Sequence, residues 1–108
     1  LGKFASNIDD QANISLNFLR QFYNIETIDF LKIDIEGGEE PLFSSNLQWL
    51  NKTRSLSMEI HPCFGVNWSY IIRTIENHGL TVKLLNKDLK EIRSFESVSI
   101  GYIWAERQ

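Results

Sequence analysis

Two short apolar runs that end in charged side chains constrain this chain more than any other feature. Residues 28–35 read I-D-F-L-K-I-D-I and are followed by Gly37 and Gly38. Residues 56–61 read L-S-M-E-I-H and are stopped by Pro62. Runs of this length, rich in branched residues and bounded by glycine or proline, are typical of strands buried in a parallel sheet.

Helical patterns alternate with these two runs. After a loop-like lead-in at residues 1–14, apolar residues recur with helical spacing in three segments, residues 15–24, 39–50 and 67–79. In the third segment Asn67 is the predicted N-cap and Gly79 the residue that ends the helix. Further strands are predicted at residues 80–85 and 100–105, with a third extended piece at residues 89–95 and an antiparallel C-terminal pair. This order predicts an α/β fold in which right-handed crossovers make the first two strands parallel neighbours.

The charge balance argues against two classes of partner. The 108 residues contain 11 Lys and Arg against 14 Asp and Glu, which gives a net charge of −3. There is no basic cluster of the kind that binds nucleic acid. Charged residues interrupt every apolar stretch before the roughly 20 residues that a membrane span needs. The one cysteine, Cys63, cannot form an internal disulfide, so nothing indicates an oxidising compartment and we expect a cytoplasmic protein. From the charge balance and the interrupted apolar stretches, we expect neither nucleic-acid nor membrane partners.

The carboxyl ends of the two predicted strands carry the candidate site residues. Asp34 and Glu36 leave the first strand, and Glu59 and His61 leave the second. Ligands of open α/β sheets bind beyond the carboxyl ends of the parallel strands. Charges inside buried strands are costly, so these side chains need either partners or an open cleft. We interpret Asp34 and His61 as functional; pairing of Lys32 with a carboxylate, and Glu36 at a helix N-terminus, are the structural alternatives.

The same residues resemble the core signature of FkbM-type methyltransferases. That signature is a D-F-L-K-I-D-V-E-G-A-E block followed, after one helix, by a strand that ends in E-x-H. Here the block is D-F-L-K-I-D-I-E-G-G-E at residues 29–39, and the strand ends in E-I-H at residues 59–61. Gly38 replaces the usual alanine, and residues 15–17 read S-L-N where the family often has T-L-D. The resemblance is specific over about residues 28–62 and loose elsewhere.

The resemblance implies a Rossmann-like class I methyltransferase fold, with strand order 3-2-1-4-5-7-6. Residues 1–108 would then form the C-terminal half of one domain, with parallel strands 4 and 5, an antiparallel C-terminal strand pair and three flanking helices. The glycine-rich loop after strand 1 and the acidic residue after strand 2, which hold S-adenosylmethionine in such folds, are expected upstream of Leu1. The cofactor-binding residues are therefore unknown in this chain, which is expected to be inactive alone.

The resemblance also implies the reaction and the site. The methyl group of S-adenosylmethionine would pass to a hydroxyl group of a small acceptor such as a sugar. Asp34 and Glu36 would lie at the floor of the cleft, with Glu59 and His61 on its acceptor side. Either His61 or Asp34 would be the catalytic general base, and Glu36 and Glu59 would bind substrate.

Two hypotheses from other functional classes compete with this interpretation. In the first, Asp34, Glu59 and His61 are the ligands of a metal-dependent hydrolase or oxygenase. In the second, the chain is a non-catalytic α/β interaction module, which self-associates through the exposed edge of the strand at residues 28–35.

Overall fold

One mixed β-sheet organises the part of the chain that the computed structural model describes, which is residues 22–34, 43, 46–62 and 65–108. Five strands are present in those residues: β1 (Leu31–Ile33), β2 (Ser55–Ile60), β3 (Leu80–Asn86), β4 (Glu91–Ile92) and β5 (Gly101–Arg107). Two helices accompany them, α1 (Gln48–Asn51) and α2 (Trp68–Asn77). The mixed α/β class predicted from the sequence is confirmed.

The strands lie in the order β1-β2-β5-β3-β4. β1 and β2 are parallel, as predicted, and Leu31 pairs with Leu56. β5 is antiparallel to both of its neighbours, β2 and β3, which confirms the antiparallel C-terminal pair. β1, β2 and β3 therefore run in the same direction, so their carboxyl ends lie at one edge of the sheet.

Strand alternation divides the sheet into two different faces. One face carries the fully buried residues Leu31, Ile33, Leu56, Met58, Ile60 and Ile103. These form a single apolar cluster with Trp49 and Leu50 of α1 and with Ile71 and Ile75 of α2, so both helices pack on this face. The opposite face, which we call the polar face, carries half-buried or exposed side chains, among them Lys32, Ser57, Glu59, Tyr102 and Trp104.

The third predicted helix forms at the expected place. The Asn67 side chain accepts a hydrogen bond from the backbone N–H of Tyr70, at 3.2 Å, and so caps the first turn of α2. Gly79 follows the helix with a φ of +92°, a conformation that side chains disfavour. Of the helix predicted at residues 15–24, only the end lies within the described residues; Asn24 has a φ of +59°, which fits a helix that stops there.

The predicted strand at residues 28–35 is shorter in the structure. Ile28 makes an isolated parallel bridge with Thr53, and the regular strand starts only at Leu31. Between Ile28 and Leu31, the Ser55 hydroxyl donates to the carbonyl of Asp29 at 2.9 Å. This carbonyl therefore accepts from a side chain of β2 and not from its backbone. Asp34 lies just beyond β1, and residue 35 falls outside the described residues.

The prediction of one continuous helix over residues 39–50 is wrong. Phe43 is helical, but Asn46 and Leu47 are not, and α1 covers only Gln48–Asn51. The Asn46 Oδ1 accepts a hydrogen bond from the Gln48 N–H at 3.0 Å. Asparagine side chains bonded in this way compete with helical backbone hydrogen bonds, which accounts for the break.

Arg107, at the end of β5, ties both helices to the sheet. Its Nε donates to the carbonyl of Thr53 at 3.1 Å, Nη1 to that of His78 at 2.6 Å, and Nη2 to that of Leu50 at 2.8 Å. Leu50 lies in the last turn of α1, Thr53 follows α1 and His78 follows α2, so all three carbonyls lie at helix ends. The Leu50 carbonyl also accepts from the Thr53 N–H at 3.2 Å. One guanidinium therefore donates to three carbonyls at the ends of two helices, a long-range contact that hydrophobic periodicity does not predict.

Candidate functional site

A histidine and a carboxylate pair at the carboxyl end of β2. Because side chains alternate along a strand, Glu59 and His61 extend from the same face, with buried Ile60 between them. The His61 Nε2 lies 2.9 Å from the Glu59 Oε2, and since a carboxylate oxygen only accepts, Nε2–H is the donor. The two side chains are 17% and 29% exposed, respectively. The pair is thus partly shielded from water yet accessible to a ligand.

This arrangement suits proton transfer. A carboxylate that accepts the proton of one ring nitrogen fixes the orientation and the tautomer of the imidazole. It also stabilises the positive charge that the ring acquires when it takes up a proton. His61 with Glu59 therefore has the chemistry of an oriented general base.

Asp34 lies at the end of the neighbouring strand, apart from this pair. Its predecessor Ile33 pairs with Met58, which precedes Glu59, so Asp34 leaves the sheet beside Glu59. Asp34 is exposed, and among the described residues no hydrogen bond or ion pair joins it to Glu59 or His61. Of the four predicted site residues, the structure brings Glu59 and His61 into contact. Asp34 lies at the same edge of the sheet, in the described part of the chain without a hydrogen bond to either of them.

Two other predictions concern the same edge. Glu36, a predicted substrate-binding residue, lies outside the described residues, as does Cys63. The alternative in which Lys32 pairs with a carboxylate is not seen in the described part of the chain, where the ion pair found is that of His61 with Glu59.

The metal hypothesis required Asp34, Glu59 and His61 to converge. Within residues 22–34, 43, 46–62 and 65–108, no three His, Cys, Asp or Glu side chains form a group that could hold a metal ion. These three residues all belong to that part of the chain, so the predicted ligand set is wrong. The short contact of His61 is to a single carboxylate, and Asp34 diverges because β1 ends before it.

Sequence reasoning missed one aromatic neighbour of the pair. β5 lies against β2 in a register that sets Tyr102 directly opposite Glu59 and Trp104 opposite Ser57. Tyr102 is half-buried on the polar face. Alternation within residues 101–107 could have indicated which side chains share a face, but not that this strand inserts beside β2.

Comparison with known proteins gives one clear match. The family model described as "Methyltransferase FkbM domain" matches residues 5–99 of the 108. No curated protein and no solved structure matches the chain. Among the described residues, no helix has the length and apolar character needed to cross a membrane.

Proposed function

The chain belongs to the FkbM methyltransferase domain family, and from that premise we propose that it serves the transfer of a methyl group from S-adenosylmethionine to a hydroxyl group of a small acceptor such as a sugar. The observation that carries the proposal is the 2.9 Å contact between His61 and Glu59 at the carboxyl end of β2. Removing a hydroxyl proton is the task that the protein must perform in such a transfer, and an oriented imidazole is suited to it.

We assign the sheet to strands 4, 5, 7 and 6 of the Rossmann-like class I fold. The assignment is supported by the order β1-β2-β5-β3 and by the direction of each strand. In particular, β5 is the last strand of the chain but lies between β2 and β3, as strand 7 lies between strands 5 and 6. Under this assignment Asp34 follows strand 4 and His61 follows strand 5.

The acidic side chains at this edge fit a cationic ligand. S-adenosylmethionine, when bound, supplies a methyl group on a positively charged sulfur. The exposed carboxylate of Asp34 and the half-buried carboxylate of Glu59 would favour positive charge nearby. We therefore propose Asp34, together with Glu36, for the floor of the cleft on the side of this ligand.

His61 and Glu59 have different roles in the removal of the acceptor proton. When bound, S-adenosylmethionine would supply the methyl carbon, and its bond to sulfur would break with the electron pair left on the sulfur as the acceptor oxygen bonds to that carbon. The hydroxyl proton of the acceptor would pass to the imidazole of His61. The Glu59 carboxylate balances the positive charge that develops on the ring and holds the ring in place. The proton then leaves His61 for solvent, which restores the pair.

Methyl transfer by the full-length protein tests the proposal. Radiolabelled S-adenosylmethionine is supplied with a panel of hydroxyl acceptors, and its affinity is measured separately by calorimetry. We expect His61→Gln to lower kcat by about 10²- to 10⁴-fold, the usual contribution of a general base, with unchanged affinity for S-adenosylmethionine.

His78→Gln is the matched control, because it makes the same change in a histidine whose Nδ1 contacts the Thr74 carbonyl at the end of α2. It should leave kcat within twofold of wild type. The proposal is refuted if the full-length protein does not bind S-adenosylmethionine, or if His61→Gln transfers methyl groups as fast as His78→Gln.

A further inference from the structure

We propose that Tyr102 binds the methyl acceptor beside the His61–Glu59 pair. This inference rests on the proposed function, which gives no role to a residue of β5. Tyr102 is the second residue of β5, a strand that runs antiparallel to β2 and β3. It therefore lies at the edge of the sheet where the parallel strands end, and ligands of such sheets bind at this edge.

The register of the sheet places Tyr102 next to Glu59. The two residues are direct partners across β2 and β5, so their side chains leave the same face of the sheet. Directly opposed residues of an antiparallel pair have Cβ atoms about 4.5–5.5 Å apart, which allows contact between two long side chains. Glu59 in turn contacts His61 at 2.9 Å. Tyr102 therefore lies beside the proposed general base and its carboxylate.

The strand order puts Tyr102 on the acceptor side of the pair. β2 lies between β1 and β5, so Asp34 and Tyr102 flank Glu59 from opposite sides. We assign Asp34 to the side of S-adenosylmethionine. A molecule that reaches His61 from the other side lies over the start of β5, where the phenol of Tyr102 can contact it.

The hydroxyl group of Tyr102 is available for this contact. Tyr102 is half-buried, and within residues 22–34, 43, 46–62 and 65–108 its hydroxyl makes no hydrogen bond. Its neighbour on the side away from Glu59 is Leu85, whose side chain has no polar atom. Tyrosine hydroxyls shielded from water usually have a partner. A ligand at this edge can supply the partner that the described residues do not.

Two other aromatic residues use their polar groups within the protein. The Trp104 Nε1, on the same face of β5, donates to the Glu106 Oε1 at 2.6 Å. The Tyr70 hydroxyl, on α2, donates to the Phe43 carbonyl at 3.2 Å. Tyr102 differs from both, because its polar group lies at the ligand edge and has no such partner in the described part of the chain.

The carboxylate of Glu59 offers a group that complements the phenol. Its Oε2 contacts His61, and among the described residues its Oε1 has no hydrogen-bond partner. A carboxylate oxygen only accepts, whereas a phenol both donates and accepts. A group of the acceptor that donates and accepts can therefore bind Glu59 Oε1 and Tyr102 together. This contact holds the acceptor beside His61, in the fixed orientation that proton transfer needs.

Kinetics of the full-length protein test this inference. Tyr102→Phe removes the hydroxyl group and keeps the ring. We expect the KM for the best acceptor of the panel to rise about 3- to 10-fold, which corresponds to the loss of one neutral hydrogen bond. Both kcat and the affinity for S-adenosylmethionine should stay within twofold, because binding lost equally in the ground and transition states raises KM alone. His61→Gln, in contrast, lowers kcat.

Equilibrium binding of the same acceptor separates affinity from turnover. Calorimetry is done on protein saturated with S-adenosylhomocysteine, which has no methyl group to transfer, and Tyr102→Phe should weaken acceptor binding by the same factor as it raises KM. Tyr70→Phe is the matched control, because it makes the same change on α2, and it should leave KM and affinity within twofold. The inference is overturned if Tyr102→Phe binds the acceptor as tightly as Tyr70→Phe, or if it weakens S-adenosylmethionine equally.

The outcome for the proposed function is read separately. If S-adenosylmethionine binds and His61→Gln lowers kcat as expected while Tyr102→Phe matches wild type, only the role of Tyr102 is wrong. If S-adenosylmethionine does not bind, the proposed function is wrong, and the role of Tyr102 with it.

Discussion

Replacing Arg107 by Met removes the connection between the last strand and both helices. The methionine keeps most of the apolar stem of the side chain, so the change isolates the loss of the guanidinium. Three hydrogen bonds disappear, to the carbonyls of Thr53, His78 and Leu50. A hydrogen bond from a charged donor contributes about 1.5–3 kcal/mol when it is buried.

The exposure of the site reduces this sum. Arg107 is half-buried, and carbonyl groups at helix ends regain water when their partner is removed. Half of the additive value for three such bonds is an expected loss of about 2–4.5 kcal/mol in the free energy of unfolding. Arg107→Lys should lose at least half as much, because one ammonium nitrogen cannot reach three carbonyls that a planar guanidinium spans.

Urea denaturation followed by circular dichroism and tryptophan fluorescence measures the loss. Arg93→Met is the control, since Arg93 is exposed and its described surroundings give it no hydrogen bond, and it should change the free energy of unfolding by at most about 0.5 kcal/mol. If Arg107→Met and Arg93→Met lie within about 0.5 kcal/mol of each other, water replaces the guanidinium and the reasoning is refuted.

Three further substitutions test local features of the fold. Gly101→Ala places a Cβ 2.5 Å from the Phe95 ring and should cost about 1–3 kcal/mol in urea denaturation; an unchanged midpoint would contradict the contact. Asn67→Ala removes the cap of α2 and should cost about 1 kcal/mol in the same assay, whereas no loss would mean that the cap is not formed in solution. Asn86→Ala removes the acceptor of two backbone N–H groups in the β3–β4 turn, so the amide of Lys90 should exchange with deuterium faster; an unchanged rate would count against the turn.

Local patterns in the sequence predicted the elements that short-range chemistry determines. Asn67, the apolar stripe that follows it and Gly79 define α2 without reference to the rest of the chain. The break before α1 depends instead on one side-chain hydrogen bond of Asn46, which competes with an otherwise convincing helical pattern. The insertion of β5 between β2 and β3 is a matter of long-range pairing, which periodicity does not contain.

The same distinction between local pattern and long-range pairing applies to the candidate site. Glu59 and His61 are two residues apart on one strand, so alternation alone predicted that they share a face. The separation of Asp34 from them depends on where β1 ends, and the position of Tyr102 beside Glu59 depends on the register of β5. Registers are determined by the packing of whole faces, so neither relation was visible in one sequence.

The most direct test of the proposed proton transfer is a double-mutant cycle of His61→Gln and Glu59→Gln, measured as kcat for methyl transfer in the full-length protein. If Glu59 acts through His61, Glu59→Gln should lower kcat in the wild-type background by at least about 10-fold and have little further effect once His61 is replaced, because residues that act as a unit are not additive. The affinity for S-adenosylmethionine should stay the same in all four proteins. Fully additive effects, or a wild-type kcat for either single variant, would contradict the account.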